Sequence, residues 1–287
     1  MNHGPFSRLD LEAPPTAGMA KADDRISVCD ADLDTIVKAL VDDEHRVQRL
    51  QLSDRVVWIK RYGTKKRTWW LRLHRVAAPM VPIPIFRPSP ILEPMQMKKR
   101  EVEKLRQFSG AGFSVPEIIC SSDKALILSD AGETVERRLK RLGGIRSGTV
   151  TKLLAECAGE LGKAHSLGLC HGRPHPRDMF VSDNGIGFLD FEEDPASVMP
   201  LQVAQVRDIF LFLLQTVDDV VDLAEIQSEV LAAWRKHAPA SALNELQRLV
   251  RVIKPLFGPL RVADRLVNGK DLHRFAVTAM LLSHLVL

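Results

Sequence analysis

Strand and helix signals fall in different parts of this sequence. Strand signals lie between about residues 45 and 128, and helical periodicity dominates 129–287. Strands first and helices afterwards point to an α+β chain with two lobes, a small β-rich one and a larger helical one. The strand region opens with a hairpin signal: HRVQRLQL, then Ser53-Asp54, then RVVWIKRY. The second run is β-branched and aromatic, as strands prefer. With period 2, Val56, Trp58, Lys60 and Tyr62 share one face, and Val57 and Ile59 take the other.

The remaining segments divide as follows. Residues 1–44 comprise a tail over 1–24, rich in Pro, Gly, Ala and charge, and then a short helix over about Ile26–Leu40. Residues 45–128 are the first lobe, interrupted by an insertion at 64–94. There the basic, aromatic KKRTWWLRLHR precedes a proline-rich run that no regular helix accommodates. A helix follows over about Met97–Phe108, with Glu101 on the same stripe as Met97, Leu105 and Phe108. VPEIIC and KALILS read as two further strands.

Residues 129–287 are the helical lobe. Val150, Leu153, Leu154, Cys157, Leu161 and Ala164 recur at helical spacing. HSLGLCHGRPHPRDMFV reads as a loop, and GIGFLDFEED as a short strand ending in carboxylates. A helix over about Val203–Val217 is apolar almost all round, so it belongs in the core. Helix breaks are expected near Pro239, Pro255-Gly258 and Gly269.

Composition narrows the function classes. A chain of 287 residues, 45% hydrophobic and 26% charged, can bury a core. The most apolar run, Phe275–Leu287, is short and contains Ser283 and His284, so it falls below a membrane span. The N-terminus lacks the apolar core of an export signal. Cys29, Cys120, Cys157 and Cys170 form no C-x-x-C pair, which favours free thiols in a reducing compartment. A cytoplasmic location is expected. A net charge of +4 gives no ground for nucleic-acid binding.

HGRPHPRDMF followed by FLDFEE resembles the catalytic and metal segments of the protein-kinase-like fold. Small bacterial members of that fold read H-G-D-L-H-P-x-N-I-L and then a strand ending in I-D-F. The order WIK, the helix with Glu101, VPEII, LILSDAG, the loop and LDFE fits as well. The nearest resemblance is to the bacterial lipopolysaccharide (Kdo/heptose) kinase-like family, and it spans about residues 45–217. It implies a bilobal kinase-like fold and an ATP- and Mg²⁺-dependent phosphotransferase. The implied acceptor is a hydroxyl of a sugar or lipid-linked saccharide.

The same resemblance gives each motif residue a role. Lys60 corresponds to the strand lysine that holds the ATP phosphates, and Glu101 to the helix glutamate that pairs with it. Asp190 corresponds to the metal-binding Asp of D-F-G, with Glu192 in place of its glycine. Asp208 corresponds to the aspartate that accepts backbone N–H bonds from the catalytic loop, and His171 to the histidine that organises that loop. The bland alternatives are a solvated strand-end lysine, a surface glutamate, a turn aspartate and a helix-dipole aspartate.

The sequence also departs from that pattern. Arg173 stands where the catalytic base Asp is expected, and Asp178 where the metal-binding Asn is expected. An arginine is no base at neutral pH, but it can clamp a phosphate. Asp178 keeps an oxygen donor and adds a charge. No glycine lies between His45 and Lys60, and Trp58 replaces the alanine that leaves room for adenine. A catalytically impaired pseudokinase, acting as a binding or regulatory module, is therefore the competing expectation. Two further readings are open. His165, Cys170, His171 and His175 lie within eleven positions, but their spacing matches no common zinc motif. Residues 64–92 alternate cations with tryptophans, which suits either contact with an anionic membrane or packing on a lobe.

Overall fold

The structure is a computed structural model that describes residues 30–41, 45–63, 84–87, 89–90, 92–142, 148–215, 223–259 and 270–286. The N-terminal tail and almost all of the 64–92 insertion lie outside the described residues, and with them the proposed lipid contact. The chain divides into two units. One comprises Met1–Arg67, Leu92–Val102 and Pro116–Asp130; the other comprises Thr68–Ile91, Glu103–Val115 and Ala131–Leu287. Residues 103–115 belong with the helical unit.

In the first unit, helix α1 (Asp30–Val41) precedes strands β1 (Val47–Gln51) and β2 (Val56–Arg61). They pair antiparallel, from Val47 opposite Lys60 to Gln51 opposite Val56. Asp32 is buried and fastens α1 to the turn between these strands. Its Oδ1 accepts hydrogen bonds from the backbone N and the Oγ of Ser53, both at 2.9 Å. After helix α2 (Pro94–Gly110), strands β3 (Ile118–Ser121) and β4 (Ala125–Ser129) complete a four-stranded sheet in the order β1-β2-β4-β3. The period-2 expectation for β2 is met. Val57 and Ile59 are buried in one cluster with Ile36, Ala39, Leu52, Ala125 and Ile127. Each such aliphatic side chain contributes roughly 1.5–3 kcal/mol by leaving water. The opposite face is left for Trp58 and Lys60.

The second unit is mainly helical: α3 (Val135–Arg141), α4 (Gly148–Ser166), α5 (Leu201–Leu214), α6 (Leu223–Arg235), α7 (Ala240–Ile253) and α8 (Lys270–Val286). Apolar spacing places Val150, Leu153, Leu154, Cys157, Leu161 and Ala164 of α4 in the core. Helix α6 lies against α4 so closely that a Cβ on Gly162 would stand 2.6 Å from the Trp234 carbonyl. Helix α5 buries Val203, Val206, Ile209, Phe210, Phe212 and Leu213, as its all-round apolar sequence demands. Pro239 immediately precedes α7, and a 3₁₀ turn over Lys254–Leu256 follows its end.

One stretch read as a loop carries a strand. Strand β5 (Met179–Ser182) pairs with β6 (Gly185–Phe188), Ser182 facing Gly185 across the two residues Asp183-Asn184. Asp183-Asn184 followed by Gly185 at φ 110° is a turn closed by a left-handed glycine, a hairpin signal that the neighbouring prolines and glycines obscure. Among the described residues no helix is long and apolar enough to cross a membrane.

Candidate active site

In the first unit, β2 and α2 bring two charged side chains together out of water. Lys60 Nζ lies 2.7 Å from Glu101 Oε1, with side-chain exposures of 9% and 2%. The Tyr62 hydroxyl donates to Glu101 Oε2 at 2.7 Å. Alternation along β2 puts Lys60 on the Trp58 face, and the apolar stripe of α2 turns Glu101 inward. An ion pair this well buried repays its desolvation only with good geometry and further hydrogen bonds, and Tyr62 supplies one. Trp58 is oriented by its indole Nε1, which donates to Asp130 Oδ1 at 2.7 Å. Asp130 follows the end of β4, so the LILSD segment fixes the tryptophan at the position where the kinase pattern has alanine.

In the second unit the H-G-R loop is organised around Asp208 of α5. Asp208 is fully buried. Its Oδ2 accepts from His171 N at 2.6 Å, and its Oδ1 from Gly172 N at 2.9 Å. His165 Nε2 lies 3.3 Å from Oδ2, and Trp234 Nε1 donates to His165 Nδ1 at 2.9 Å. Because the indole can only donate, Nδ1 is the acceptor and the Nε2–H faces the carboxylate. Burial alone would raise the Asp208 pKa, but the hydrogen bond from His165 foremost, with the Lys104 charge further off, holds it below the usual value.

His171 is pinned by its own side chain as well: its Nε2 donates to the Leu189 carbonyl at 2.9 Å. Burial pushes its pKa down to about 4, so at neutral pH the ring is uncharged. That suits a loop-organising role rather than a proton shuttle. Gly172 has φ 111°, and a Cβ there would stand 2.4 Å from the Glu193 carbonyl. Only glycine fits.

Arg173 projects from this loop and is 44% exposed, with Asp190 Oδ2 at 3.9 Å and Glu193 Oε1 at 3.7 Å. Asp190, just beyond β6, has φ 61° and is the one described non-glycine residue at positive φ. Strained backbone of this kind gathers at functional positions. Asp178 ends the 3₁₀ turn Pro176–Asp178, buried, with Arg177 Nε at 3.4 Å. Burial first, and the Asp190 charge second, raise its pKa to about 7. Glu192 is half-buried beside Phe191.

The second unit therefore gathers His171, Arg173, Asp178, Asp190 and Asp208, and the first gathers Trp58, Lys60 and Glu101. Both ring nitrogens of His165 and Nε2 of His171 are engaged as described, and His175 Nδ1 accepts from Arg177 N at 3.0 Å. The histidine and cysteine positions thus have local partners in place of a shared ligand geometry. Sequence reasoning missed Arg207, which bridges the Gly172 carbonyl and Glu193 Oε2, the latter at 2.8 Å. Its only sequence signal is its place beside Asp208 in the middle of an apolar helix. Asp130 and the role of Tyr62 were also missed. No known family model matches the sequence, and no curated protein matches it.

Proposed function

We propose that this chain is an ATP-dependent phosphotransferase of the kinase-like fold, acting on a hydroxyl of a sugar or lipid-linked saccharide. The observation that carries the proposal is the buried Lys60–Glu101 pair, backed by Tyr62. Two charges are costly to bury, and a lysine held at one angle on a strand is what a nucleotide phosphate requires. The H-G-R loop, held by Asp208, and the strained Asp190 support it from the second unit.

The donor set also suits Mg²⁺. Asp178 and Asp190 are hard oxygen donors; burial first, and the Asp190 charge second, raise the Asp178 pKa, and a cation would relieve the repulsion between the two. In this proposal Asp178 and Asp190 hold the metal, Lys60 holds the phosphates and Glu101 orients Lys60. Arg173 would add positive charge beside Asp190. ATP supplies the phosphoryl group when bound. Phosphoryl transfer depends chiefly on positioning and charge stabilisation. General-base help is typically worth about 10²–10⁴-fold, so an arginine at position 173 slows transfer without abolishing it.

A second reading rests on two observations. Arg173 supplies an internal cation to Asp190 and Glu193, and Trp58 is locked in place by Asp130. Both suit a pseudokinase that serves as a binding module. Transfer of radiolabelled γ-phosphate from ATP, with and without Mg²⁺, separates the two. The phosphotransferase reading expects Mg²⁺-dependent turnover that falls at least 100-fold in Asp190→Ala. Binding of Mg·ATP without turnover would favour the pseudokinase, and neither binding nor turnover would defeat the nucleotide assignment.

A further inference from the structure

Lys104 is the other buried charge on α2. It sits three residues after Glu101 on the stripe that also carries Leu105 and Phe108, and all four are buried. A lysine on such a stripe is costly unless its ammonium is satisfied. Here Nζ donates to the Cys170 carbonyl at 2.8 Å and lies 3.4 Å from the His171 carbonyl. Asp194 Oδ1 stands 3.5 Å away, which makes an ion pair. The three partners come from two different segments: the residues that open the H-G-R loop, and the end of the acidic run after Asp190.

The apolar side of the same stripe reaches the same place. The Phe108 ring centroid is 4.6 Å from that of Phe191 and 5.2 Å from that of Phe188, and His171 lies 5.0 Å from Phe191. These rings tolerate small slips. The ammonium with its three oxygens is directional and charge-assisted, so it sets the backbone more sharply.

We propose that Lys104 is a positioning residue of the phosphoryl-transfer site: its ammonium holds the carbonyls of Cys170 and His171 and the Asp194 carboxylate in one arrangement. Arg173 and Asp190 are thereby presented at a fixed spacing. The inference rests on the phosphotransferase reading for its function, but the positioning itself does not. Asp208 grips the N–H groups of His171 and Gly172, whereas Lys104 grips the carbonyls of Cys170 and His171. The loop is therefore held through both of its backbone polarities. A buried lysine in the middle of an apolar stripe is its sequence signature.

The test compares the full chain with Lys104→Met, which keeps length and removes the charge, and with Lys104→Arg. Hydrogen exchange is read over 169–173 and 192–196, with α7 as the internal control. Lys104→Met is expected to raise exchange at least 10-fold in both segments and to leave α7 unchanged, and Lys104→Arg to restore much of the protection. In turnover, kcat should fall at least 10-fold in Lys104→Met with KM for ATP within about threefold of wild type. Unchanged exchange in those segments would overturn the inference, and so would a uniform rise that includes α7. Local loosening in a protein whose wild type has no turnover would uphold the positioning and overturn the phosphotransferase reading instead.

Discussion

Arg173 points its guanidinium at Asp190, 3.9 Å from Oδ2, so a cation stands beside the carboxylate assigned to metal. The contact is long, and Arg173 is 44% exposed, so it adds little to stability; exposed pairs are typically worth about 0–1 kcal/mol. Arg173→Ala should therefore unfold within about 1 kcal/mol of wild type. Its Mg·ATP affinity should fall roughly 3–10-fold, because one phosphate-facing charge is gone. Calorimetry alongside a urea titration checks both. A rise in Mg²⁺ affinity instead would mean that Arg173 competes with the metal, as the pseudokinase reading expects.

The Lys60–Glu101 pair makes a prediction about coupling. Lys60→Met leaves Glu101 charged and buried, and Glu101→Met does the same to Lys60. Each should cost about 3–5 kcal/mol. The double variant should cost less than the sum by about 2 kcal/mol or more, because the Lys60–Glu101 attraction is then removed once and not twice. Urea unfolding of all four proteins measures it, and additive costs would show that the pair is not coupled.

Gly172→Ala is expected to destabilise the protein by about 2–4 kcal/mol. The residue sits at φ 111°, and its new Cβ would meet the Glu193 carbonyl at 2.4 Å. Thermal unfolding tests this. Gly168→Ala makes a useful control, since φ there is 78° and a Cβ meets nothing within 4 Å; it should cost about 1 kcal/mol.

Asp178 gives the metal-free protein a pH signature. Its folded pKa, about 7, lies above the ordinary 3.8, so the folded state holds the proton more tightly than the unfolded state. The resulting stabilisation is complete below pH 3.8 and is lost as pH rises through about 7. Asp178→Asn has no proton to lose. Relative to wild type it should gain on the order of 2–3 kcal/mol between pH 5 and pH 8. Urea titrations at the two pH values check this, and a constant difference would contradict it.

The parts legible in the sequence were those written in local periodicity. Alternation in VVWIK gave the buried pair Val57 and Ile59 and the opposite face of Lys60. The stripe on α2 gave Glu101. The all-round apolar α5 gave the buried setting of Asp208. The hairpin at Asp183-Asn184 stayed hidden because the prolines and glycines of HGRPHP set the reading of the whole stretch. Apart from the Lys60–Glu101 pair and the bonds from the loop to Asp208, which the resemblance implied, contacts between distant positions were not legible. Nothing local shows that Trp58 will meet Asp130, 72 residues on, or that Lys104 will meet Cys170, 66 residues on. Such pairs depend on how the elements pack, and tertiary packing leaves no period in the chain.

The most direct test of the phosphotransferase account is calorimetric titration of wild type and Lys60→Met with ATP, in the presence and absence of Mg²⁺. The account predicts a single site in wild type that tightens at least 10-fold with Mg²⁺ and weakens at least 10-fold in Lys60→Met. No heat of binding for wild type at millimolar ATP with Mg²⁺ would contradict it, and so would binding of equal strength with and without the metal.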